Sequence, residues 1–177
     1  MTCIVGLIED QKVYIGGDSA GVAGYQLSVR KDRKVFCNGD FVIGGTTSFR
    51  MLQLLHYSLI PPKCEDDDIE RYMVTKFVDA IRECFKAGGY AQKEREQEEG
   101  GTFLVGFQGR LFRISSDYQV GETLCGYDAI GCGDNVALGS LVATPDMQAT
   151  KRVELALRAA ESHNIGVRGP FYIESIG

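Results

Sequence analysis

Hydrolysis by a protein side chain needs a nucleophile with an activating base beside it, and this sequence offers few ways to build one. It holds two histidines, His56 and His163, and neither lies near a G-x-S-x-G elbow. A serine–histidine–aspartate site therefore has poor support. No ligands stand at a recognisable metal-binding spacing, so neither a metal nor another cofactor is expected. One arrangement needs neither histidine nor metal: a hydroxyl residue at the chain's N-terminus whose own α-amine is the base. An α-amine has a pKa of about 7.7–8.0, so on the order of a tenth is unprotonated at pH 7, whereas a side-chain amine near 10.4 is almost wholly protonated. Thr2 stands directly behind Met1, where removal of the initiator would expose it as such a residue. Taken alone, a threonine at position two is commonplace.

The elements around Thr2 add to this. Residues 3–8 form an apolar run, Glu9-Asp10-Gln11 supplies a polar turn, and Val13-Tyr14-Ile15 returns as a second strand, which Gly16-Gly17-Asp18-Ser19 is expected to break. A turn centred on Asp10, or between Asp10 and Gln11, makes cross-strand partner numbers sum to 20 or 21. Asp18 then lies opposite Thr2 or Cys3, about 5 Å away. A simple ribbon thus delivers a carboxylate beside the chain terminus, although Gly17-Asp18-Ser19 by itself reads first as a turn.

Further along, Lys34-Val35-Phe36-Cys37 and Phe41-Val42-Ile43 flank Asn38-Gly39, which suits a type I′ turn. A helix is expected over 49–59, stopped by Pro61-Pro62, and a second carries the stripe Ile69, Met73, Phe77, Ile81 and Cys84 before Gly88-Gly89. The charged stretch 92–99 reads as a solvated helix end or loop. Residues 102–107 and 110–114 form a hairpin across Gln108-Gly109, and 129–132 a short strand. Helices over about 135–143 and 146–162 and a strand over 171–176 complete the chain. Hairpins imply antiparallel sheet, and helices in pairs imply layers on its faces, hence an α+β fold. One domain over residues 1–177 is expected.

The net charge of -5 argues against a nucleic-acid or anionic-membrane partner, since both demand a basic face. No apolar run of about 18 residues is present and no export signal is visible, so a cytoplasmic location is expected. The six cysteines contain no C-x-x-C and read as small buried hydrophobes in a reducing compartment rather than as a zinc site.

The segments Thr2-Cys3-Ile4-Val5, Ile15-Gly16-Gly17-Asp18-Ser19 and Arg33-Lys34-Val35 resemble the start of proteasome β subunits, and most of all the bacterial HslV peptidases. That family's pattern sets an Asp sixteen residues and a Lys thirty-two residues after its catalytic Thr, which here are Asp18 and Lys34. Ile130-Gly131-Cys132-Gly133 is similar to the family's I-G-S-G stretch. The resemblance implies a four-layer α-β-β-α sandwich, the fold of the N-terminal nucleophile hydrolases. It implies a threonine endopeptidase in which Thr2 attacks the peptide carbonyl, its α-amine is the base, and Lys34, paired with Asp18, gives electrostatic support. The turn at Gly44-Gly45-Thr46-Thr47-Ser48 resembles the family's oxyanion-hole region, which makes Thr46, Thr47 and Ser48 candidate substrate-binding positions.

Two departures stand out. Cys132 replaces the family's serine, a weaker hydrogen-bond partner for the Thr2 amine. The stretch 164–169 keeps only an amide, Asn164, where relatives place an Asp and then a Ser. The resemblance further implies polypeptide substrates, a homo-oligomeric ring and an ATP-dependent unfoldase partner. Two other readings stand beside it: a non-catalytic ring subunit blocked by Met1, and a small-molecule amidase on the same fold.

Overall fold

The computed structural model describes residues 1–65, 68–90, 92–94 and 97–177. The chain opens with β1 (Cys3–Glu9) and β2 (Lys12–Gly17). Asp10 and Gln11 between them both take positive φ, 50° and 60°, as a two-residue type I′ hairpin requires. Gly16 and Gly17 do not break β2; they end it against close neighbours. A Cβ on Gly16 would lie 2.4 Å from Val153 Cγ1, and one on Gly17 2.7 Å from Val35 Cγ2. These glycines serve close packing, a demand that a local reading of the sequence as a turn does not register.

Two short strands that the sequence did not announce follow, β3 (Ala20–Ala23) and β4 (Gln26–Val29), paired among the described residues only with each other. β5 (Val35–Asn38) and β6 (Phe41–Gly45) form the next hairpin. Its turn corrects the expectation: Asn38 pairs with Phe41, so the central residues are Gly39 and Asp40. Of these, positive φ falls on Gly39, at 56°, the first-position requirement of type II′. Asn38 is held in the ladder because its side-chain amide donates to Leu55 O (2.9 Å) and Leu59 O (3.0 Å). Those carbonyls end α1 (Phe49–Tyr57), which the Ser48 hydroxyl caps by accepting from Arg50 N at 3.1 Å.

The second helical stretch comprises α2 (Ile69–Tyr72), a π-helical turn (Met73–Phe77) and α3 (Val78–Ala87). The stretch read as a helix end or loop instead contains β7 (Gln92–Glu94) and β8 (Gln97–Glu99), an antiparallel ribbon; residues 91, 95 and 96 lie outside the described residues. Then come β9 (Phe103–Phe107), β10 (Arg110–Ile114), β11 (Val120–Glu122) and β12 (Tyr127–Gly131). α4 (Asp134–Ala143), α5 (Ala149–His163) and β13 (Tyr172–Ile176) close the chain. α5 begins three residues later than the sequence suggested. A backbone turn from Met147 N to Thr144 O occupies the Pro145 region, and the Glu9 carboxylate accepts from Ala149 N at 3.2 Å, meeting an unpaired helix-start N–H.

Two antiparallel sheets result, with strand orders β12-β1-β2-β13 and β11-β10-β9-β6-β5. Ile4, Val13, Ile15, Val35, Val42, Leu104, Leu111 and Ile130 fill the space between them. α4 and α5 bury Ala137, Leu141, Val153 and Leu157 against the outer face of the first sheet. α1, α2 and α3 bury Leu55, Tyr72, Ile81 and Phe85 against the second. The architecture is the four-layer α-β-β-α sandwich. Each fully buried Leu, Ile, Val or Phe contributes about 1.5–3 kcal/mol. All six cysteines are free thiols, and only Cys3 is buried, so the expectation of buried thiols holds for that one alone. Among the described residues no helix is long and apolar enough to cross a membrane.

Candidate active site

The β1–β2 register pairs Ile4 with Gly17, so partner numbers sum to 21 and Asp18 falls opposite Cys3. Cys3 N donates to Asp18 Oδ1 at 3.0 Å, and Asp18 N to Cys3 O at 3.3 Å. The other carboxylate oxygen, Oδ2, accepts from Ala20 N (2.8 Å) and Arg168 N (3.3 Å). Three backbone N–H groups from separate segments thus hold a carboxylate that is 1% exposed.

Lys34 precedes β5 and is 3% exposed. Its ammonium donates to Asp18 Oδ1 at 2.9 Å and to Thr2 Oγ1 at 2.7 Å. Burial pulls the Lys34 pKa below the ordinary lysine value, and the Asp18 charge and hydrogen bond oppose that pull. Thr2 itself is buried, and its hydroxyl donates to the Met1 carbonyl, while the Met1 side chain is exposed. The structure therefore brings Thr2, Asp18 and Lys34 into one hydrogen-bonded cluster.

Cys132 joins from the other side. Thr2 N donates to Cys132 Sγ at 3.3 Å. The thiol has two acceptors in reach, Asn164 Oδ1 at 3.0 Å and Thr2 O at 3.4 Å. Asn164 Nδ2 donates to Cys132 O at 2.6 Å and Gly166 N donates to Asn164 Oδ1 at 3.0 Å, so the amide orientation is fixed with its oxygen towards the sulfur. The thiol proton goes to that nearer oxygen, which leaves the sulfur to accept from Thr2 N. Gly131 makes this approach possible. Its φ is 102°, and a Cβ there would lie 2.2 Å from Thr2 O.

The Thr46–Ser48 segment lies alongside. The Thr46 methyl is close to Gly131, but the Thr46 hydroxyl donates to Thr102 O at 3.2 Å and Thr47 Oγ1 accepts from Thr102 N at 3.2 Å. Ser48 is occupied in capping α1. Thr47 has φ 65°, and Ser48 N donates back to Thr46 O at 2.7 Å, a tight γ-turn of the strained kind. The three side chains are thus engaged in shaping the loop.

Two members of the cluster could not be assigned from the sequence. Asn164 stood, by the resemblance, where relatives place an Asp, but nothing in its neighbours showed which residue it would face. Phe49, the first residue of α1, brings its ring centroid 5.7 Å from Lys34 Nζ and 3.9 Å from the Arg30 guanidinium carbon. In the sequence it stood only as the first residue of the expected helix. Among the described residues no group of three or more His, Cys, Asp or Glu is placed to hold a metal.

No protein-family model matches the chain, and no curated protein does. Solved structures do. The Thiobacillus denitrificans protein BPH, determined in complex with epoxomicin, has a TM-score of 0.81 at 18% identity over 98% of this chain and 97% of its own. The eukaryotic HslV from Trypanosoma brucei has a TM-score of 0.69 at 19% identity, covering 98% of both chains. Anbu, an ancestral beta-subunit from Yersinia bercovieri, gives 0.69 at 16% identity over 98% of this chain and 81% of that one. These likenesses show that the chain shares the fold of BPH, HslV and Anbu.

Proposed function

We propose that this chain is a threonine endopeptidase of the proteasome and HslV type, acting on unfolded polypeptides with Thr2 as nucleophile once Met1 is removed. The observation that carries the reading is the buried ammonium of Lys34, held by Asp18 at 2.9 Å while donating to Thr2 Oγ1 at 2.7 Å. A buried lysine that spends a hydrogen bond on a hydroxyl stabilises negative charge developing on that oxygen.

With Met1 attached, Thr2 N is a peptide nitrogen whose lone pair is delocalised and cannot take a proton. Loss of Met1 frees the hydroxyl from the Met1 carbonyl and converts that nitrogen into an amine beside Cys132. Thr2 Oγ then attacks the scissile carbonyl carbon, and its proton passes to the α-amine, directly or through a water. The tetrahedral oxyanion needs a donor. The Thr47 N–H, which has no acceptor among the described residues, sits in the strained turn beside Gly131 and suits that role. Collapse expels the amine half of the substrate, which takes the proton from the Thr2 ammonium and leaves an ester on Oγ. Water, deprotonated by the same amine, releases the acid half and restores the hydroxyl. Asp18 keeps Lys34 charged throughout, and Cys132 with Asn164 orients the Thr2 amine. A ring of copies enclosing the site, fed by an ATP-driven unfoldase, would confine this chemistry to unfolded chains.

A second reading has its own support. The Thr2 hydroxyl is bound to the Met1 carbonyl, and Met1 packs against Gly166, where a Cβ would meet Met1 Cβ at 2.5 Å. A chain that kept Met1 would be a non-catalytic subunit.

Intact mass of the purified protein distinguishes the two. The same sample is then treated with epoxomicin and the modified residue mapped, and an unfolded protein substrate is offered to wild type and Thr2→Ala. The expected results are loss of one methionine, modification confined to Thr2, and no turnover by the variant. Retained Met1, or equal turnover by both proteins, overturns the proposal.

A further inference from the structure

Residues 164–170, between α5 and β13, touch the candidate site at three places. Asn164 meets Cys132, and Arg168 N donates to Asp18 Oδ2 at 3.3 Å. Ser19, 2% exposed, donates from its N to Arg168 O at 2.8 Å and from its Oγ to Pro170 O at 2.6 Å. The start of this segment is anchored by burial: Val167 belongs to the same apolar cluster as Leu157 and Ala160 of α5, and its N–H donates to Asn164 O at 3.1 Å. The far end has no such anchor. Arg168 and Pro170 are exposed, Gly169 has no side chain, and Pro170 has no N–H to give. Among the described residues, the side chain that bonds this end from the side away from Asp18 is Glu161, in the last turn of α5.

We propose that Glu161 is a positioning residue for the candidate site, holding the 168–170 segment so that Asp18 keeps Lys34 aimed at Thr2 Oγ1. This rests on the peptidase reading above and extends it to a residue that touches neither substrate nor nucleophile. Glu161 Oε1 accepts from Gly169 N at 2.9 Å. The peptide unit that carries this N–H also carries Arg168 O, the acceptor for Ser19 N. The C=O and N–H of a trans peptide point in opposite directions, so the unit is bonded on both edges and its rotation would break both bonds. Rotation would also swing the adjoining Arg168 N–H, one of the two backbone donors on Asp18 Oδ2. A carboxylate acceptor strengthens its hydrogen bond and polarises the amide towards Ser19. α5 is a firm base for that carboxylate, because Val153, Ala156, Leu157 and Ala160 are buried against the first sheet. The Arg168 guanidinium lies 3.7 Å from the same Oε1, but its side chain is 45% exposed, so this ion pair adds little. The bond to the backbone is what positions the segment. Burial lowers the Lys34 pKa, and of the groups that oppose it, Asp18, Cys132 and Cys3, Asp18 acts most strongly. Loosening Asp18 therefore lets the Lys34 pKa fall further.

The test compares wild type with Glu161→Ala, Glu161→Gln and Arg168→Ala by two readouts. One is kcat and KM in peptide hydrolysis. The other, independent of turnover, is the titration of Lys34 followed by carbon NMR of Cε-labelled lysine, the signal assigned by its absence from Lys34→Met. Glu161→Ala is expected to lower kcat by about tenfold or more with KM unchanged, and to move the Lys34 titration to lower pH. Glu161→Gln keeps an oxygen for Gly169 N and is expected to recover most of kcat and the wild-type titration. Arg168→Ala, which keeps the backbone N–H, is expected to change neither. A Glu161→Ala protein that melts at a lower temperature while Lys34 titrates as in wild type has lost only structural support, and overturns this inference. So does a loss in Arg168→Ala equal to that in Glu161→Ala, which would assign the effect to the ion pair. Absence of turnover by wild type overturns the peptidase reading alone, because the Lys34 titration still decides whether Glu161 positions the Asp18–Lys34 pair.

Discussion

Replacing Asp18 by Asn tests the electrostatics of the candidate site in a single atom. In the wild type the carboxylate accepts from Lys34 Nζ and from the N–H groups of Cys3, Ala20 and Arg168. The amide keeps the shape but loses the charge and one acceptor oxygen. Lys34 is 3% exposed, and burial already draws its pKa down, so without a carboxylate it sheds its proton in the folded chain. In the unfolded chain it stays protonated up to a pKa of about 10.4. Holding it neutral at pH 7 therefore costs about 5 kcal/mol, from about 1.4 kcal/mol per pH unit over the roughly 3.4 units between pH 7 and that pKa. This agrees with the roughly 3–5 kcal/mol lost when one partner of a buried pair is removed. The unfolded state binds one more proton than the folded state, so the stability of the variant rises with pH. Its deficit against wild type shrinks to about 2 kcal/mol at pH 9. Urea unfolding followed by circular dichroism at pH 7, 8 and 9, at one protein concentration, measures this directly. Adding Lys34→Met to Asp18→Asn removes both charges, and is expected to recover most of the stability at pH 7 but none of the activity. A deficit that stays flat from pH 7 to 9, or one below about 1 kcal/mol, would refute the buried, coupled pair.

Two further outcomes follow from the same geometry. Cys132→Ser puts a stronger hydrogen-bonding hydroxyl between the Thr2 amine and Asn164 Oδ1, so kcat in peptide hydrolysis is expected to hold or rise; a fall of about tenfold or more would assign Cys132 chemistry of its own. The pH profile of kcat/KM is expected to be bell-shaped, rising as the Thr2 amine loses its proton and falling on the alkaline side at a pKa below the usual lysine value, because burial lowers that of Lys34. A profile still flat at pH 10.5, the ordinary lysine value, would remove Lys34 from the reaction.

Much of the site could be read from sequence wherever local geometry governs distance. Asp10 and Gln11 form a two-residue turn, so the β1–β2 register follows from chain numbering and places Asp18 against Cys3. The hairpin at Gln108-Gly109 and the apolar stripe from Ile69 to Cys84 are local in the same sense. The misreadings have one origin, a role set by a distant neighbour. Gly16 and Gly17 look like a strand break but are required by Val153 and Val35. Asn38 looks like a turn residue but serves the end of α1, which moves the turn to Gly39 and Asp40. The stretch 92–99 is charged enough to suit a helix end, yet forms a ribbon that includes an Arg82–Glu98 ion pair of 2.8 Å to α3.

By itself, the sequence determined the candidate nucleophile, the carboxylate across the hairpin from it and the alternation of sheet and helix, because turns and periodicity act over a few residues. Only the tertiary structure decided that the Lys34 ammonium lies between Thr2 and Asp18 and that Asn164 orients Cys132. Each of those contacts joins segments from different strands, helices and loops, and their meeting depends on how two sheets and their helices pack, a property that no window of the chain contains.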